Sequence, residues 1–404
     1  MKVIIIGAGI AGLSTAWYLQ KEYANALDIT ILEASGSVGG KIQTKNIDGF
    51  FYECGPRSIR GDFDLINELQ LQDEVLVASK YAKRRFLASH GRLKAFTWIK
   101  CLPAILTYPL RWSRTPGDVS IATYFGERFG ASFVDTFIDP FCAGIYAGLP
   151  DALSYQACFP KKRHAAQIFT FKQGMQTLTS VLAVKIKGKI LLNTKVLRID
   201  DHPQNVTVLT DSGLYTADRV ISTVNPTAML PPEDPLRLVV PQVPKASLVT
   251  VSLGYYEDLL PERGFGFLAS SKEERRLLGV IFDSCVFPQQ NGAYKTRLSV
   301  MLGGAKAPHM LELSDDALYS EAVDACKKYL GVGQPAHVWA VTRHPHAISQ
   351  YPVGHLQRMQ VLEEALTGRR IQLAGADLYD VSIAGLIKRA EAGVFMNHLG
   401  LAHK

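Results

Sequence analysis

The stretch VIIIGAGIAGLSTAWYLQ, residues 3–20, constrains this chain more than any other. Val3–Ile6 is a solid apolar run, the pattern of a strand covered on both faces. Ile10, Leu13, Ala16, Trp17 and Leu19 follow at helical spacing, and residues 28–33, DITILE, read as a second strand. Gly7, Gly9 and Gly12 stand where strand passes into helix. Gly7 permits the tight turn, Gly9 lets backbone approach a pyrophosphate, and Gly12 lets helix and strand pack closely. The helix N-terminus, with Ile10 and Ala11, offers N–H groups and partial positive charge to that phosphate. Glu33 closes the second strand 21 residues beyond Gly12, the place of the acid that accepts hydrogen bonds from the adenosine ribose. Its charge repels a 2′-phosphate, which argues against NADP, and Ala34 completes that contact.

A second glycine pair separates nicotinamide from flavin. After Glu33 comes ASGSVGGKIQT, with Gly39, Gly40, Lys41 and Thr44. A further close backbone approach suits a longer, permanently held FAD. This stretch resembles the flavin-containing amine oxidase superfamily, in which an L-E-A…G-G-[RK]…T pattern follows the dinucleotide turn.

Composition narrows the class. The 404 residues are 47% hydrophobic and 20% charged, which fits a folded chain with a sizeable core. The net charge of +7 carries no basic block, so nucleic acid is not an expected partner, whereas an anionic substrate or membrane surface is compatible. Six cysteines (Cys54, Cys101, Cys142, Cys158, Cys285 and Cys326) lack any C-x-x-C pair; they read as reduced thiols in a cytoplasmic chain, and no metal site is expected. The glycine-broken N-terminus is unlike a signal peptide, and no apolar run of about 18 residues predicts a spanning helix.

Further along, residues 63–79 and 118–138 read as helical, and 188–224 as a β-meander returning to the first unit. Residues 245–304 are strand-rich, 315–330 a helix, 337–343 and 371–375 strands, and 383–400 a closing helix. The fold class expected is α/β: a Rossmann-type FAD-binding domain, a mixed-sheet substrate domain and a helical membrane-associating insertion. The boundaries assigned are 1–62, 170–225 and 353–404 for FAD, 63–80 and 226–352 for substrate, and 81–169 for the insertion. Within the insertion WIKCLPAILTYPLRW, residues 98–112, holds two tryptophans, Tyr108, two prolines and basic flanks. It suits peripheral membrane contact, or a covered core segment.

GPRSIR, GGKIQT, FGASFVDTFIDPFCAGIYAGLPDALS (129–154), FKQGMQTL (171–178) and ISQYPVGHLQRM (348–359) together resemble the protoporphyrinogen oxidase family, the oxygen-linked, FAD-containing kind, which includes coproporphyrinogen-oxidising relatives. The resemblance spans nearly the whole chain. It implies six-electron oxidation of a porphyrinogen in haem biosynthesis, with hydride passing from meso carbons to flavin N5 and O2 or another acceptor taking the electrons. Such a substrate needs a roomy apolar slot with cations at its mouth, and positioning rather than a strong base. The resemblance implies that the Gly55–Pro56–Arg57–Ser58 loop passes beside the flavin. Arg57 then either stabilises the reduced ring or ties the loop to a carboxylate such as Glu53. Lys100 is the nearest cation for the propionates. Val196 matches the residue meeting the adenine, Leu356 one touching flavin, and Gly375, Val381, Ser382 and Ile383 the loop and helix N-terminus at the ring. Asp377, Tyr379 and Asp380 depart from the glycine-rich family pattern there. His355 reads as a support for the flavin rather than a general base.

Two other readings stand beside this one. One is an amine oxidase or carotenoid-type desaturase; the first lacks an aromatic-cage signature here, and the second the DPFCAGIYAG block. The other is a non-enzymatic, FAD-stabilised porphyrin carrier, suggested by a chain shorter than the family's usual length. A monomer or homodimer, in the cytoplasm or against the inner face of the cell membrane, is expected.

Overall fold

The computed structural model describes residues 1–61, 64–96, 117–159 and 167–393. Five parallel strands form the first sheet, in the order Lys189–Leu191, Asp28–Leu32, Lys2–Ile6, Arg219–Ser222 and Ile371–Leu373. Alternation within each strand sends side chains to two different cores. Val3, Ile5, Ile29 and Ile31 pack against the helices Ile10–Tyr23, Gln176–Lys185 and Ile383–Glu391. Ile4, Ile6, Leu32 and Val220 pack against an antiparallel meander, Val196–Asp201, Val206–Thr210 and Leu214–Ala217, and the helix His355–Leu366. The layers are therefore helix, parallel sheet and meander. All five parallel strands fall within the three stretches read from sequence as dinucleotide-binding.

A second, mixed sheet has seven strands in the order Val338–Ser349, Lys245–Tyr255, Thr296–Gly303, Leu277–Ile281, Gly266–Leu268, Phe86–Ser89 and Arg92–Ala95. One face, carrying Val249, Val251, Leu253, Leu298, Val300 and Val341, packs on the helix Asp315–Leu330. The other face turns toward the first sheet.

Three expectations change. Residues 86–95 form the last two strands of this sheet, so the insertion assigned to 81–169 does not begin at 81. Gln167–Phe171 pairs between Ile59–Gly61 and Val75–Val77, which takes its other end too. The helix expected over 63–79 is confined to Asp64–Glu68 among the described residues. Gln70 takes φ +61°, and Val75–Val77 finds a strand partner that local periodicity cannot show.

Against the strands Gly266–Leu268 and Leu277–Ile281 runs a helical stretch, Ile121–Phe129 followed by residues 131–146, with a π-helical turn at Val134–Ile138. Phe125, Phe129, Phe133, Phe137 and Phe141 lie four residues apart along it, and the rings of the first four contact one another in succession. Lys306 and Asp139, 3.2 Å apart and both buried, tie this stretch to the seven-stranded sheet. Among the described residues no helix is long and apolar enough to cross a membrane. Lys100, Cys101 and the segment 98–112 lie outside the described residues, as does the end of the closing helix beyond residue 393.

Candidate active site

Three loops meet at the carboxyl ends of the parallel strands. In the first, Gly7 takes φ +100° and donates its N–H to the Leu32 carbonyl at 2.8 Å. A Cβ on Gly12 would sit 1.9 Å from the Gly7 oxygen, so helix and turn approach as only glycine allows. A Cβ on Gly9 would meet nothing within 4 Å. Gly9 is therefore not demanded by the polypeptide's own packing, and its open face is room for something else. The second loop lies on the first: Gly39 N–H donates to the Ala8 carbonyl at 2.8 Å, and a Cβ on Gly40 would stand 3.3 Å from the Gly9 Cα.

Glu33 accepts the Ala8 N–H at 2.7 Å and both the N–H and hydroxyl of Ser35, at 2.9 and 2.7 Å. Its carboxylate thus braces the glycine turn, a role the sequence did not suggest. The 191–196 stretch is stitched beside it by Thr194 N–H to the Glu33 carbonyl, 2.8 Å, and Asn193 N–H to the Ser35 carbonyl, 3.0 Å. This brings buried Val196 close to the glycine loops, while Ala34 is exposed.

The 53–58 loop passes between the two sheets. Gly55 packs so that a Cβ would lie 1.9 Å from the Lys41 carbonyl oxygen, and Pro56 holds the turn that follows. Arg57 Nε stands 3.4 Å from Asp283 Oδ1, and Asp283 also accepts the Ser299 hydroxyl at 2.6 Å. The carboxylate that pairs with Arg57 is thus Asp283, not Glu53. Glu53 accepts the Met175 N–H and the Thr44 hydroxyl, each at 2.8 Å. Burial pushes the Glu53 carboxyl up to about 7; its two hydrogen bonds and Arg57 oppose the rise, and Asp283 adds to it. Buried Arg297 donates to Asn291 Oδ1 at 3.0 Å and to the Phe51 carbonyl at 2.9 Å, joining the seven-stranded sheet to the strand Phe50–Glu53 that leads into this loop.

The third loop follows Gly375, where a Cβ would lie 2.3 Å from the Thr223 carbonyl oxygen, an approach only glycine allows. Four contacts fix it. Tyr351 donates to the Ala376 carbonyl at 2.7 Å, Lys245 pairs with Asp377 at 2.7 Å, Ser349 reaches Asp377 at 3.3 Å, and His355 Nε2 meets the Leu378 carbonyl at 2.7 Å. His355 is 2% exposed and stacks on Tyr351, so it braces the loop and has no access to a substrate. The departures Asp377 and Asp380 are used here: Asp380 accepts the Ser382 N–H at 2.7 Å, and Ser382 caps the helix Ile383–Glu391 through Gly385 N–H. Val381 is half-buried beside this N-terminus, and Leu356 is exposed on its own helix.

The inner face of the seven-stranded sheet carries Thr250, Ser252, Ser299, Thr342 and His344, set there by strand register. Burial, Arg57 and Lys41 push the His344 imidazole down to about 4, so it is neutral at pH 7. His344 escaped the sequence reading because only the register places it among these groups. Two cavities flank the Arg57–Asp283 pair. One, of about 20 Å³, is lined by Glu53, Arg297, Ser252 and Ser299; the other, of about 140 Å³, by Gly55, Pro56, Ser58, Phe265 and Ile281. A larger cleft of about 980 Å³, with Phe129, Phe133, Phe137 and Lys94 on its walls, lies apart from the glycine loops.

The arrangement fits a dinucleotide carrying a flavin. The open face of Gly9 sits at a helix N-terminus, and Arg57 Nη2 is buried without a hydrogen-bond partner in the loop beyond. These features define an FAD-dependent oxidoreductase. A family model described as flavin containing amine oxidoreductase matches residues 10–390, and the chain belongs to that family. It is 28% identical to a bovine protein named protoporphyrinogen oxidase, over 96% of both chains. It is also 28% identical to a Bacillus subtilis protein named coproporphyrinogen III oxidase, over 97% of both. The crystal structure of a candidate protoporphyrinogen oxidase from Exiguobacterium sp. 255-15 shares the fold with a TM-score of 0.85, at 24% identity over 99% of each chain.

Proposed function

We propose that this chain oxidises a porphyrinogen in haem biosynthesis, converting protoporphyrinogen IX to protoporphyrin IX. The observation that carries the reading is the similarity, along nearly the full length of both chains, to relatives that bear this activity in their names. The Bacillus subtilis relative, equally similar, supports a second reading, coproporphyrinogen III to coproporphyrin III.

In this reading bound FAD supplies a ring that accepts hydride from a meso carbon and passes the electrons to O2 or another acceptor. The residues around it hold, orient and exclude water. Gly7, Gly9, Ile10, Ala11 and Gly12 cradle the pyrophosphate. Glu33, Ala34 and Val196 hold the adenosine end, and Gly40 and Lys41 lie over the middle. Gly55–Ser58 with Arg57, and Gly375 with Val381, Ser382 and Ile383, line the redox end, to which Leu356 belongs by family position. The helix beginning at Ile383 directs its positive end there. The hydroxyl-bearing face of the seven-stranded sheet is the floor on which a flat macrocycle lies. Lys100 takes a propionate; K100A should raise KM several-fold, and an unchanged KM discards that role. The 98–112 segment makes peripheral contact with the inner face of the membrane of a cytoplasmic enzyme, a contact that flotation with anionic liposomes would reveal. Sedimentation would assign monomer or homodimer.

The test is anaerobic mixing of the FAD-loaded protein with each porphyrinogen in turn. Bleaching of the flavin band with the appearance of porphyrin fluorescence is expected, and the faster substrate decides between the two readings. A protein that keeps its flavin oxidised with both substrates is not a porphyrinogen oxidase.

A further inference from the structure

The Arg57–Asp283 pair is a shared wall. On one side lies the cavity of about 140 Å³ along the Gly55–Ser58 loop; on the other lies the cavity of about 20 Å³, room for a single water, onto which Glu53 opens. The smaller cavity is ringed by polar groups: Glu53, Arg57, Asp283, Arg297, Ser252 and Ser299. Glu53 is 7% exposed, and its ordinary partners are already met by the Met175 N–H and the Thr44 hydroxyl. A carboxyl this deep is costly to keep charged, and its two oxygens each accept one hydrogen bond.

Porphyrinogen oxidation has a proton to place. Each two-electron step removes a hydride from a meso carbon and one proton from the macrocycle; over three steps two of the protons are pyrrole N–H protons and the third comes, by tautomerisation, from the remaining meso carbon. When the electrons reach dioxygen as hydrogen peroxide, one hydride equivalent and one proton are consumed together. The proton is therefore released in one half of the cycle and needed again in the other.

We propose that Glu53, with a water in the small cavity behind the Arg57–Asp283 pair, is an internal proton-holding site: its carboxylate takes the macrocycle's proton as the hydride leaves, and returns it when dioxygen is reduced. This rests on the porphyrinogen reading above. The charges facing Glu53 come from four elements: Arg57 in the loop after it, Asp283 in the short helix Asp283–Val286, Arg297 in the strand Thr296–Gly303, and the Met175 N–H beside the helix Gln176–Lys185. Burial raises the carboxyl to about 7 against the pull of Arg57 and the two hydrogen bonds, and there it exchanges a proton in either direction.

Two measurements on the FAD-loaded full chain test this. First, carbon-13 NMR of carboxyl-labelled glutamate, without substrate, should show one glutamate titrating near neutrality. Its signal is absent in E53Q, and its midpoint falls in D283N, because the neighbouring negative charge that raises it is gone. A Glu53 that titrates in the ordinary carboxylate range overturns the proposal. Second, protoporphyrinogen IX is mixed anaerobically with the protein and a pH-indicator dye at about pH 8, where Glu53 starts ionised. In the wild type the dye response should lag behind flavin bleaching; in E53Q the two should coincide. Coincidence in the wild type overturns the proton-holding role even if the carboxyl titrates as expected. Flavin that is not bleached at all tells instead against the porphyrinogen reading, and the NMR titration keeps the two failures apart. Should E53Q lose its cofactor, D283N carries both measurements: a lower midpoint and a shorter lag are expected, and an unmoved midpoint overturns the proposal.

Discussion

The two sheets of this molecule are built on opposite logics. The parallel sheet makes its site from main chain: missing Cβ atoms at Gly9, Gly12, Gly55 and Gly375, N–H groups at a helix start, and one bracing carboxylate, Glu33. The seven-stranded sheet makes its side of the site from side chains held by register: Ser299 on Asp283, Asp283 on Arg57, Arg297 on the Phe51 carbonyl, His344 beneath. A backbone site turns on the space that absent Cβ atoms leave, at Gly12 for the fold and at Gly9 for the ligand. A side-chain site tolerates changes of shape but depends on every buried charge having its partner.

The sharpest way to break this contrast is at Gly12. G12V drives a side chain into the Gly7 carbonyl and should cost more than about 4 kcal/mol, leaving little folded protein by circular dichroism. On the other sheet, R297L abandons the Phe51 and Phe287 carbonyls and leaves Asp283 and Glu53 short of a countercharge. A loss of about 3–5 kcal/mol in urea unfolding is expected. G9A sharpens the comparison. With open space around it, the apoprotein should unfold within about 1 kcal/mol of wild type, while FAD affinity falls at least about tenfold by flavin fluorescence titration. Equal affinity would show that no phosphate approaches there.

The smallest effect is in pH dependence, and it separates two groups of opposite sign. Burial holds the His344 midpoint below its ordinary value, at about 4, so the stability it contributes is present above about 6.5 and is lost as pH falls toward 4. The Glu53 midpoint is raised from 4.5 to about 7, so its contribution is present below 4.5 and is lost as pH rises through 7. Over the shared window the two slopes oppose each other. H344F should therefore make stability fall as pH rises from about 4.5 to 7, and E53Q should make it rise from about 4 to 6.5, in thermal melts across that range. Two variants with the same slope as wild type would show that neither group is displaced.

The same contrast explains what was legible beforehand. Backbone sites announce themselves locally. The spacing of Gly7, Gly9 and Gly12 and the pair Gly39–Gly40 marked the dinucleotide half, and the helices Ile10–Tyr23 and Asp315–Leu330 follow directly from periodicity. Side-chain sites do not. Of the two roles the sequence offered Arg57, beside the flavin or tied to a carboxylate such as Glu53, four residues away, the second finds a different partner: the fold gives it Asp283, 226 residues on. His344 sits in a strand with two other charged or titratable side chains, Arg343 and His346, and its pairing with Leu248 turns it inward. The 63–79 stretch was misread for the same reason: Val75–Val77 becomes a strand because Phe169–Phe171 arrives beside it. Where the chain's own neighbours decide structure, sequence suffices; where a partner a hundred residues away decides it, sequence is silent.

The strand Ile371–Leu373 completes the parallel sheet beside Arg219–Ser222, and it is drawn from the last tenth of the described chain. A ribosome makes it about 150 residues after its partner strand. Until it emerges, the hydrogen-bonding edge of Arg219–Ser222 stays open, the Gly375 loop has no anchor at Thr223, and the redox end of the cofactor cleft has no wall. The cleft can therefore close on the flavin only after this strand has followed, and a chain that stops short of it would display an unpaired strand to its neighbours.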